Sequence, residues 1–262
     1  MNKSTTNSLI LAQEVSHLIS MIAQKELEFF AHNDSEVLHD FRVHIRTLRT
    51  WLQIFDSAGY CVKKLQKYLQ QCHKTGNELR NVDVLLHWMK KNPSLVSSKS
   101  IQVVKHRRKK LKKAFMKELL NNNAISKLRI SGRDLLSKIM GISKKDFQPA
   151  IEKYIEEKEQ QIAKILPYAT NNLEQLHEIR KLLKKMRYSL DLMPLIDTKR
   201  TATLKEVQDI LGIINDRRVW IDLLQSMFKK LEETPALEAI FREDIKNQMD
   251  EFRVHWEASY TK

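Results

Sequence analysis

Apolar residues recur at intervals of three and four along most of the chain, which is the spacing of amphipathic helices. Residues that break helices are scarce, since the 262 residues include only five Gly and five Pro. We therefore predict an all-α fold. The predicted helices run from Leu9 to Phe30, from Asn33 to about Phe55, from Tyr60 to Lys91, through 105–113 and on to near Gly141, from Ser143 to about Pro167, from about Asn172 to Leu195, from Thr203 through Leu231, and from Thr234 onward.

Polar side chains that cap helices mark several of these starts. The predicted capping pairs are Asn33 with Glu36, Ser143 with Asp146, and Thr203 with Glu206, while Thr234 precedes Pro235 at a first helical position. The sequence NPSLVSSKS, residues 92–100, is the clearest linker.

One helical segment occurs twice. LHDFRVHIRTLRTWL begins at Leu38, and LHEIRKLLKKMRYSL begins at Leu176. Within each copy, four basic residues are spaced by three, four and three, so they form a stripe about 80° wide on a helix. We call these the cationic stripes; they consist of His39, Arg42, Arg46 and Arg49 in the first copy and of His177, Arg180, Lys184 and Arg187 in the second.

Each cationic stripe has an apolar stripe beside it, displaced by about 100° because its residues come one position earlier. One side of each helix is thus predicted to pack, and the neighbouring side to carry cations. The apolar stripes are Leu38, Phe41, Ile45, Leu48, Leu52 and Phe55, and Leu176, Ile179, Leu183, Met186, Leu190 and Met193.

The charge balance points to an anionic partner. Lys and Arg number 46 against 32 Asp and Glu, for a formal net charge of +14. The acids Asp40 and Glu178 lie off the cationic stripes, and arginine offers paired donors to phosphate oxygens, so a phosphate chain fits. A solvated charged face is the alternative interpretation. His39 and His177 either contact the anion or serve packing and hydrogen bonding.

The motifs around the repeat resemble the conserved histidine α-helical domain (CHAD) family. HDFRVHIRTLR from His39 and HEIRKLLKKMRY from His177 are similar to the two family motifs. RNVDVLL, which starts at Arg80, and LKEVQDILGIIND, which starts at Leu204, are similar to the segments that follow each copy. These segments occur in the family's order over nearly the whole chain.

The resemblance implies two four-helix bundles related by pseudo-twofold symmetry, with basic residues lining a central groove or pore. It implies one domain over 1–262, with a first half to about 97, a basic connecting segment over about 98–142 and a second half over about 143–262. It further implies binding of inorganic polyphosphate, often at polyphosphate granules. Both cationic stripes would contact the polyphosphate; residues ranked lower are Arg80, Lys181, Lys185 and Tyr188. On the basic helix over 105–113, Lys105, Arg108 and Lys112 share one direction and would extend the phosphate path, while a solvated charged face is the alternative interpretation of that helix.

Three positions depart from the family pattern. Thr47 stands where an arginine is usual, Asn81 replaces an acid, and RRVW follows Asp216 where many relatives have an acid. If those acids orient cations in relatives, the local geometry differs here.

Two other function classes remain open. A nucleic acid attracts the same cations, although the first copy places Phe41 and Phe55 on the apolar stripe and directs Trp51 away from the cations. A phosphohydrolase is the third class, but no metal-ligand cluster, Walker loop or HExxH motif occurs. We expect no catalytic residues, no metal and no cofactor.

The remaining features favour a cytoplasmic protein, associated with polyphosphate granules if the resemblance holds. Cys61 and Cys72 form neither a disulfide framework nor a CxxC site. No run of 18 apolar residues occurs, and the first residues lack an uninterrupted apolar signal region. We therefore expect no membrane segment.

Overall fold

All regular secondary structure in the described part of the chain is helical, which confirms the all-α prediction. The structure, a computed structural model, describes residues 3–32, 34–60, 62–121, 124–140, 142, 144–169, 172–193 and 198–260. Across those residues, no helix is long and apolar enough to cross a membrane. The helices are α1 (Lys3–His32), α2 (Ser35–Ser57), α3 (Lys63–Lys91), α4 (Ser98–Asn121), α5 (Ala124–Ile139), α6 (Lys144–Ile165), α7 (Leu173–Leu190), α8 (Thr198–Ser226) and α9 (Thr234–Tyr260), with a short 3-10 turn at Leu166–Tyr168.

The start of α2 is fixed by Asp34. Its side chain accepts a hydrogen bond of 2.8 Å from the backbone N–H of Glu36, as an N-cap residue does. The linker predicted over residues 92–100 is shorter in the structure, because α4 already begins at Ser98. Several predicted features lie outside the described residues: the caps Asn33 and Ser143, the helix ends at Gly141 and Leu195, and Cys61.

The predicted bounds of α8 are wrong. The helix occupies Thr198–Ser226 rather than 203–231. Residues 198–203 contain no Gly or Pro, so the helix includes them and Thr203 lies inside it instead of capping it. A capping signature therefore marks a start only where the preceding residues stop the helix.

The helices are shared between two compact units, each assembled from segments that are not contiguous in sequence. α3, α4, α6 and α7 contribute to both units. The predicted single domain with two sequence halves stays a prediction. Unit 1 comprises Met1–Asn77, Ala114–Glu159 and Lys185–Asp197, and unit 2 comprises Glu78–Lys113, Gln160–Lys184 and Thr198–Lys262.

The core of unit 1 forms where α2 and α5 pack on α1. All six residues of the apolar stripe of α2 are buried, as predicted. Phe115 of α4 adds edge-on ring contacts to Phe29 and Phe41, with centroids 5.5 and 6.4 Å apart. α5 approaches α1 closely at Gly132, since a Cβ there would lie 2.9 Å from the Ile19 side chain. The cationic stripe of α2 is thus carried by a helix fixed in a packed core.

The core of unit 2 contains an aromatic cluster. Trp88, Trp220 and Phe241 form three ring pairs with centroids 4.8–5.7 Å apart. Arg217 lies 4.4 Å above the Trp220 ring and donates to Asp244 at 2.7 Å, so this cation is neutralised. α8 and α9 therefore pack through aromatic rings together with the half-buried, ion-paired Arg217.

Burial of a carboxyl group in unit 1 generates a prediction about stability. Glu26 on α1 is buried, which raises its pKa from 4.5 to about 7. The folded state therefore holds this proton more tightly than the unfolded chain, and stability falls as the pH rises from about 4.5 to about 7. We expect Glu26→Gln to raise the free energy of unfolding at pH 8 by about 1–3 kcal/mol, and by much less at pH 4.5. Urea denaturation at both pH values measures the difference.

Glu243→Gln is the matched control, because Glu243 is exposed and the same charge is lost. It should change the unfolding free energy little at either pH. A Glu26→Gln variant with no gain at pH 8 would contradict the destabilising ionisation of Glu26.

Candidate functional site

The cationic stripe of α2 is partly removed from solvent. His39, Arg46 and Arg49 are half-buried, whereas Arg42 is buried. The apolar stripe 100° away explains this burial, because packing it draws the neighbouring side of the helix toward the core. The stripe is therefore partly desolvated rather than fully exposed, and the choice between an anion site and a solvated face stays a prediction.

Arg42 ties α2 to α3. Its Nη1 donates to the backbone O of His73 at 3.1 Å, and its Nη2 donates to Oδ1 of Asn77 at 2.5 Å. Gly76 leaves room for the guanidinium, since a Cβ there would lie 3.4 Å from Nη1. Contact between Arg42 and polyphosphate stays a prediction, but these bonds give the residue a structural role first.

Arg46 and Arg49 form no ion pair with any carboxylate among the described residues. The Nε of Arg46 is buried and has no hydrogen-bond partner within the same part of the chain. Desolvation lowers the pKa of Arg49, although an arginine remains charged at neutral pH. Both guanidinium groups therefore favour an anion from outside the described structure.

The departure at Thr47 leaves the cationic stripe intact. Thr47 is buried, and its hydroxyl donates to the backbone O of Val43 at 3.1 Å. Thr50, the counterpart of Tyr188, is also buried and donates to the backbone O of Arg46 at 3.0 Å. Both threonines face inward, so the departure lies on the packed side of α2.

All members of the second cationic stripe, on α7, are half-buried. The adjacent apolar stripe is buried over Leu176, Ile179, Leu183, Met186 and Leu190, as predicted, while Met193 beyond the helix is half-buried. The side chains from His177 to Lys184 belong to unit 2, and Arg187 belongs to unit 1. Both copies of the repeat thus combine a packed side with partly desolvated cations.

His177 lies in a cationic environment formed by α7 and α8. Its pKa is lowered first by burial and next by the charge of Arg218, while a polar interaction with Asn215 raises it. Lys181 and Arg180 on its own helix lower the pKa further. The Nδ1 atom of His177 is buried and has no hydrogen-bond partner in the described residues. The imidazole is therefore held neutral near a group of cations.

Arg218 and Asn215 were not predicted from sequence. They line a cleft of about 10 Å³ with His177, which is room for about one water molecule. Nη1 of Arg218 pairs with Oε1 of Glu174 in the first turn of α7. For Arg218 the signal in sequence was the RRVW departure, which gave cations after Asp216 but not their position, and Asn215 lies in the LKEVQDILGIIND segment, which did not single it out.

Arg108, ranked lower in the prediction, is bound inside unit 2. Its Nε donates to Oδ1 of Asp83, whose side chain is 1% exposed. Asp83 belongs to the RNVDVLL segment, so the acid of that motif holds the basic helix α4 against α3.

The other lower-ranked residues occupy varied positions. Tyr188 is buried, its backbone O accepts from the Trp51 indole at 2.8 Å, and Arg187 lies 5.1 Å above its ring. Lys181 is exposed and pairs with Glu178. Arg80, Lys112 and Lys185 are half-buried, and Lys105 is exposed.

A wider cavity of about 510 Å³ lies between α3 and α5 in unit 1. Its lining is largely apolar, and the Lys138 ammonium at its edge pairs with Asp134 at 2.8 Å. It includes no residue of either cationic stripe. We therefore do not assign the anion site to it.

Comparison with known proteins identifies the family. The CHAD domain family model matches residues 14–225, so this chain belongs to the CHAD domain family, as its motifs predicted. Among solved structures, it is similar to the crystal structure of the CHAD domain from the plant Ricinus communis. That comparison has a TM-score of 0.75 at 20% identity and covers 96% of this chain and 92% of the other, which establishes the shared fold. No curated protein sequence matches this chain.

The different environments of Arg42 and Arg49 predict opposite effects on stability. Arg42→Met removes hydrogen bonds to two acceptors on α3 and should lower the free energy of unfolding by about 1–3 kcal/mol. Arg49→Met removes a partly desolvated cation without an ion pair and should leave stability unchanged or slightly higher. Urea denaturation at pH 7 measures both. Equal losses in the two variants would contradict the distinction.

Proposed function

We propose that this protein binds inorganic polyphosphate through the cationic stripes of α2 and α7 and leaves the polymer chemically unchanged. The observation that carries the proposal is the partly desolvated state of Arg46 and Arg49, which have no carboxylate partner in the described chain. Holding like charges in such an environment is unfavourable without a counter-anion. A polyanion relieves the desolvation of both residues at once.

The geometry of the stripes favours an extended anion. Successive cations at positions 42, 46 and 49 are separated by rises of about 6 and 4.5 Å along the helix axis. A flexible phosphate chain offers a charged group at each step, whereas one orthophosphate reaches only one or two. Affinity should therefore rise with chain length.

Polyphosphate is favoured over single-stranded nucleic acid by the aromatic residues of α2. Phe41, Trp51 and Phe55 are buried, so these rings do not offer stacking platforms for bases. Binding to nucleic acid would then depend on phosphate contacts alone.

Cytoplasmic localisation with association to polyphosphate granules is part of the proposal and is tested by imaging a fluorescent fusion.

The first experiment is competition. Labelled long-chain polyphosphate is bound at about 0.15 M salt and challenged with equal phosphate equivalents of RNA, DNA and orthophosphate. Retention of polyphosphate against all three is the expected result. Equal displacement by nucleic acid would reduce the assignment to general polyanion binding.

The second prediction concerns a variant in which two arginines of the α2 cationic stripe are replaced by uncharged glutamines. Arg46→Gln with Arg49→Gln should weaken polyphosphate binding about tenfold or more and reduce the salt dependence, because two charge-assisted contacts are lost. Arg42 is left unchanged, since its loss would also disturb the fold. Lys229→Gln with Lys230→Gln is the control, because both lysines are exposed and the same charge is removed. Equal weakening by the two pairs would indicate attraction by net charge rather than a site.

Absence of catalysis is tested separately. Purified protein incubated with polyphosphate and Mg²⁺ should release no orthophosphate above the buffer rate, and the polymer length should stay constant on a gel. Protein-dependent shortening of the chain would replace the binding proposal with a phosphohydrolase.

A further inference from the structure

The cavity between α3 and α5 in unit 1 has no role in the proposed function, since it includes no residue of either cationic stripe. Its volume of about 510 Å³ lies within the range of about 300–1,000 Å³ that small-molecule pockets occupy. The interior of a protein is otherwise packed with few voids larger than a water molecule. The side chains on either side of this cavity therefore leave room for a ligand.

Apolar side chains form the inner part of the cavity. Val62, Leu65 and Leu135 line it and are buried, with exposures of 5, 3 and 1%. Ile130 of α5 lines the same cavity but is 64% exposed, so it extends the apolar lining to the surface. We call these four residues the apolar wall. An aliphatic chain bound against this wall would remove its exposed part from water.

The rim of the cavity is cationic. Lys63 and Lys64 line it at the start of α3, are exposed, and form no ion pair with a carboxylate among the described residues. Lys138 and Asp134 of α5 pair with each other at 2.8 Å, so the two lysines of α3 leave the lining with a net positive charge. The dipole of α3 adds potential of the same sign, and the first turn of this helix contains no acid. The lining is thus complementary to a molecule that has an apolar chain and a negative head.

We propose that this cavity binds a free medium-chain fatty acid, with the aliphatic chain against the apolar wall and the carboxylate beside Lys63 and Lys64. The inference is independent of polyphosphate binding, which we propose at other residues. One carboxylate at the rim suits the lining better than a phosphate chain, because further charges would have to be desolvated against the apolar wall.

The extent of the lining favours a small molecule over a segment of another protein. The described lining residues fall within 62–65 and 130–138, which is about one turn of α3 and about two and a half turns of α5. A docked amphipathic helix places apolar anchors over two or more turns and needs a groove of that length on both sides. An aliphatic chain of about eight carbons needs only the short wall that is present.

Two eight-carbon probes of opposite charge test the rim. Octanoate should bind about five- to tenfold more tightly than octylammonium at pH 7, because the chains are the same and only the carboxylate is attracted by the lysines. Titrations followed by the NMR signals of the Ile130 and Leu135 methyl groups measure both affinities at the cavity. Equal affinities, or no saturable shift with octanoate, would overturn the proposal.

The length of the chain tests the apolar wall. From hexanoate to octanoate to decanoate, the affinity should rise about three- to fourfold for each added methylene that is buried. The same titrations measure the series. An affinity that does not change with chain length would contradict burial of the chain.

Replacing the two lysines tests the proposed partners of the carboxylate. Lys63→Gln with Lys64→Gln should weaken octanoate binding about three- to tenfold and leave binding of uncharged octan-1-ol unchanged, since only the head loses its partners. Lys229→Gln with Lys230→Gln is the control, because both lysines are exposed, lie outside the lining and remove the same charge. Equal weakening of octanoate by the two pairs would assign the attraction to net charge and overturn the site.

Filling the cavity tests its location without removing a core side chain. Ser131 lines the cavity and is half-buried, so Ser131→Leu adds apolar volume there and should weaken octanoate binding about tenfold or more. Ser137→Leu, at an exposed position of α5 outside the lining, should leave octanoate binding unchanged. Circular dichroism and urea denaturation verify the fold of both variants, and both should bind polyphosphate as the wild type does. Octanoate binding that survives Ser131→Leu in the folded protein would overturn this inference and leave the proposed function untouched.

Discussion

The central constraint on this protein is that α2 and α7 must each pack and carry cations with adjacent sides of one helix. The apolar and cationic stripes are about 100° apart, so burial of the first partly desolvates the second. Leu38, Phe41 and Ile45 are fully or nearly fully buried, while Arg46 and Arg49 beside them are half-buried. The same packing therefore buries the apolar side chains of the core and desolvates the cations, which makes an anion favourable beside them.

The basic side chains of this protein fall into two groups according to their partners. Some receive acceptors or acids from other helices: Arg42 binds the His73 carbonyl and Asn77, Arg108 binds Asp83, and Arg217 binds Asp244. Others, such as Arg46 and Arg49, receive no acid from the described part of the chain. These contacts hold helices together, and the cost of removing the cation is greatest for Arg108, because its loss leaves the buried Asp83 carboxylate without this partner. The remaining cations are those that an external anion stabilises most.

Sequence predicted the features that depend on local periodicity. The all-α fold, the burial of the α2 apolar stripe and the CHAD family follow from spacing and motifs within short segments, and all are confirmed. Features that depend on packing between helices were missed. The partners of Arg42 lie 31 and 35 residues away on α3, and Arg218 meets Glu174 across 44 residues. No pattern in one helix specifies such a contact.

The RNVDVLL and RRVW segments show why a motif alone does not assign a role. Asp83 in the first is an acid that fixes Arg108, so a conventional motif residue acts in packing. Arg218 in the second is a departure from the family, yet it lies beside His177 at the cleft.

Exposure also separates two kinds of positive surface. Lys105, Lys109 and Lys113 on α4 are exposed, so salt screens them and their main effect is attraction of polyanions over about a Debye length. Half-buried arginines are screened less and form directed, charge-assisted bonds. If the proposed function holds, the exposed lysines would govern the rate of encounter with the polyanion, and the partly desolvated stripes would govern its retention. Net charge would then serve approach, while selectivity would depend on the few cations that packing has removed from water.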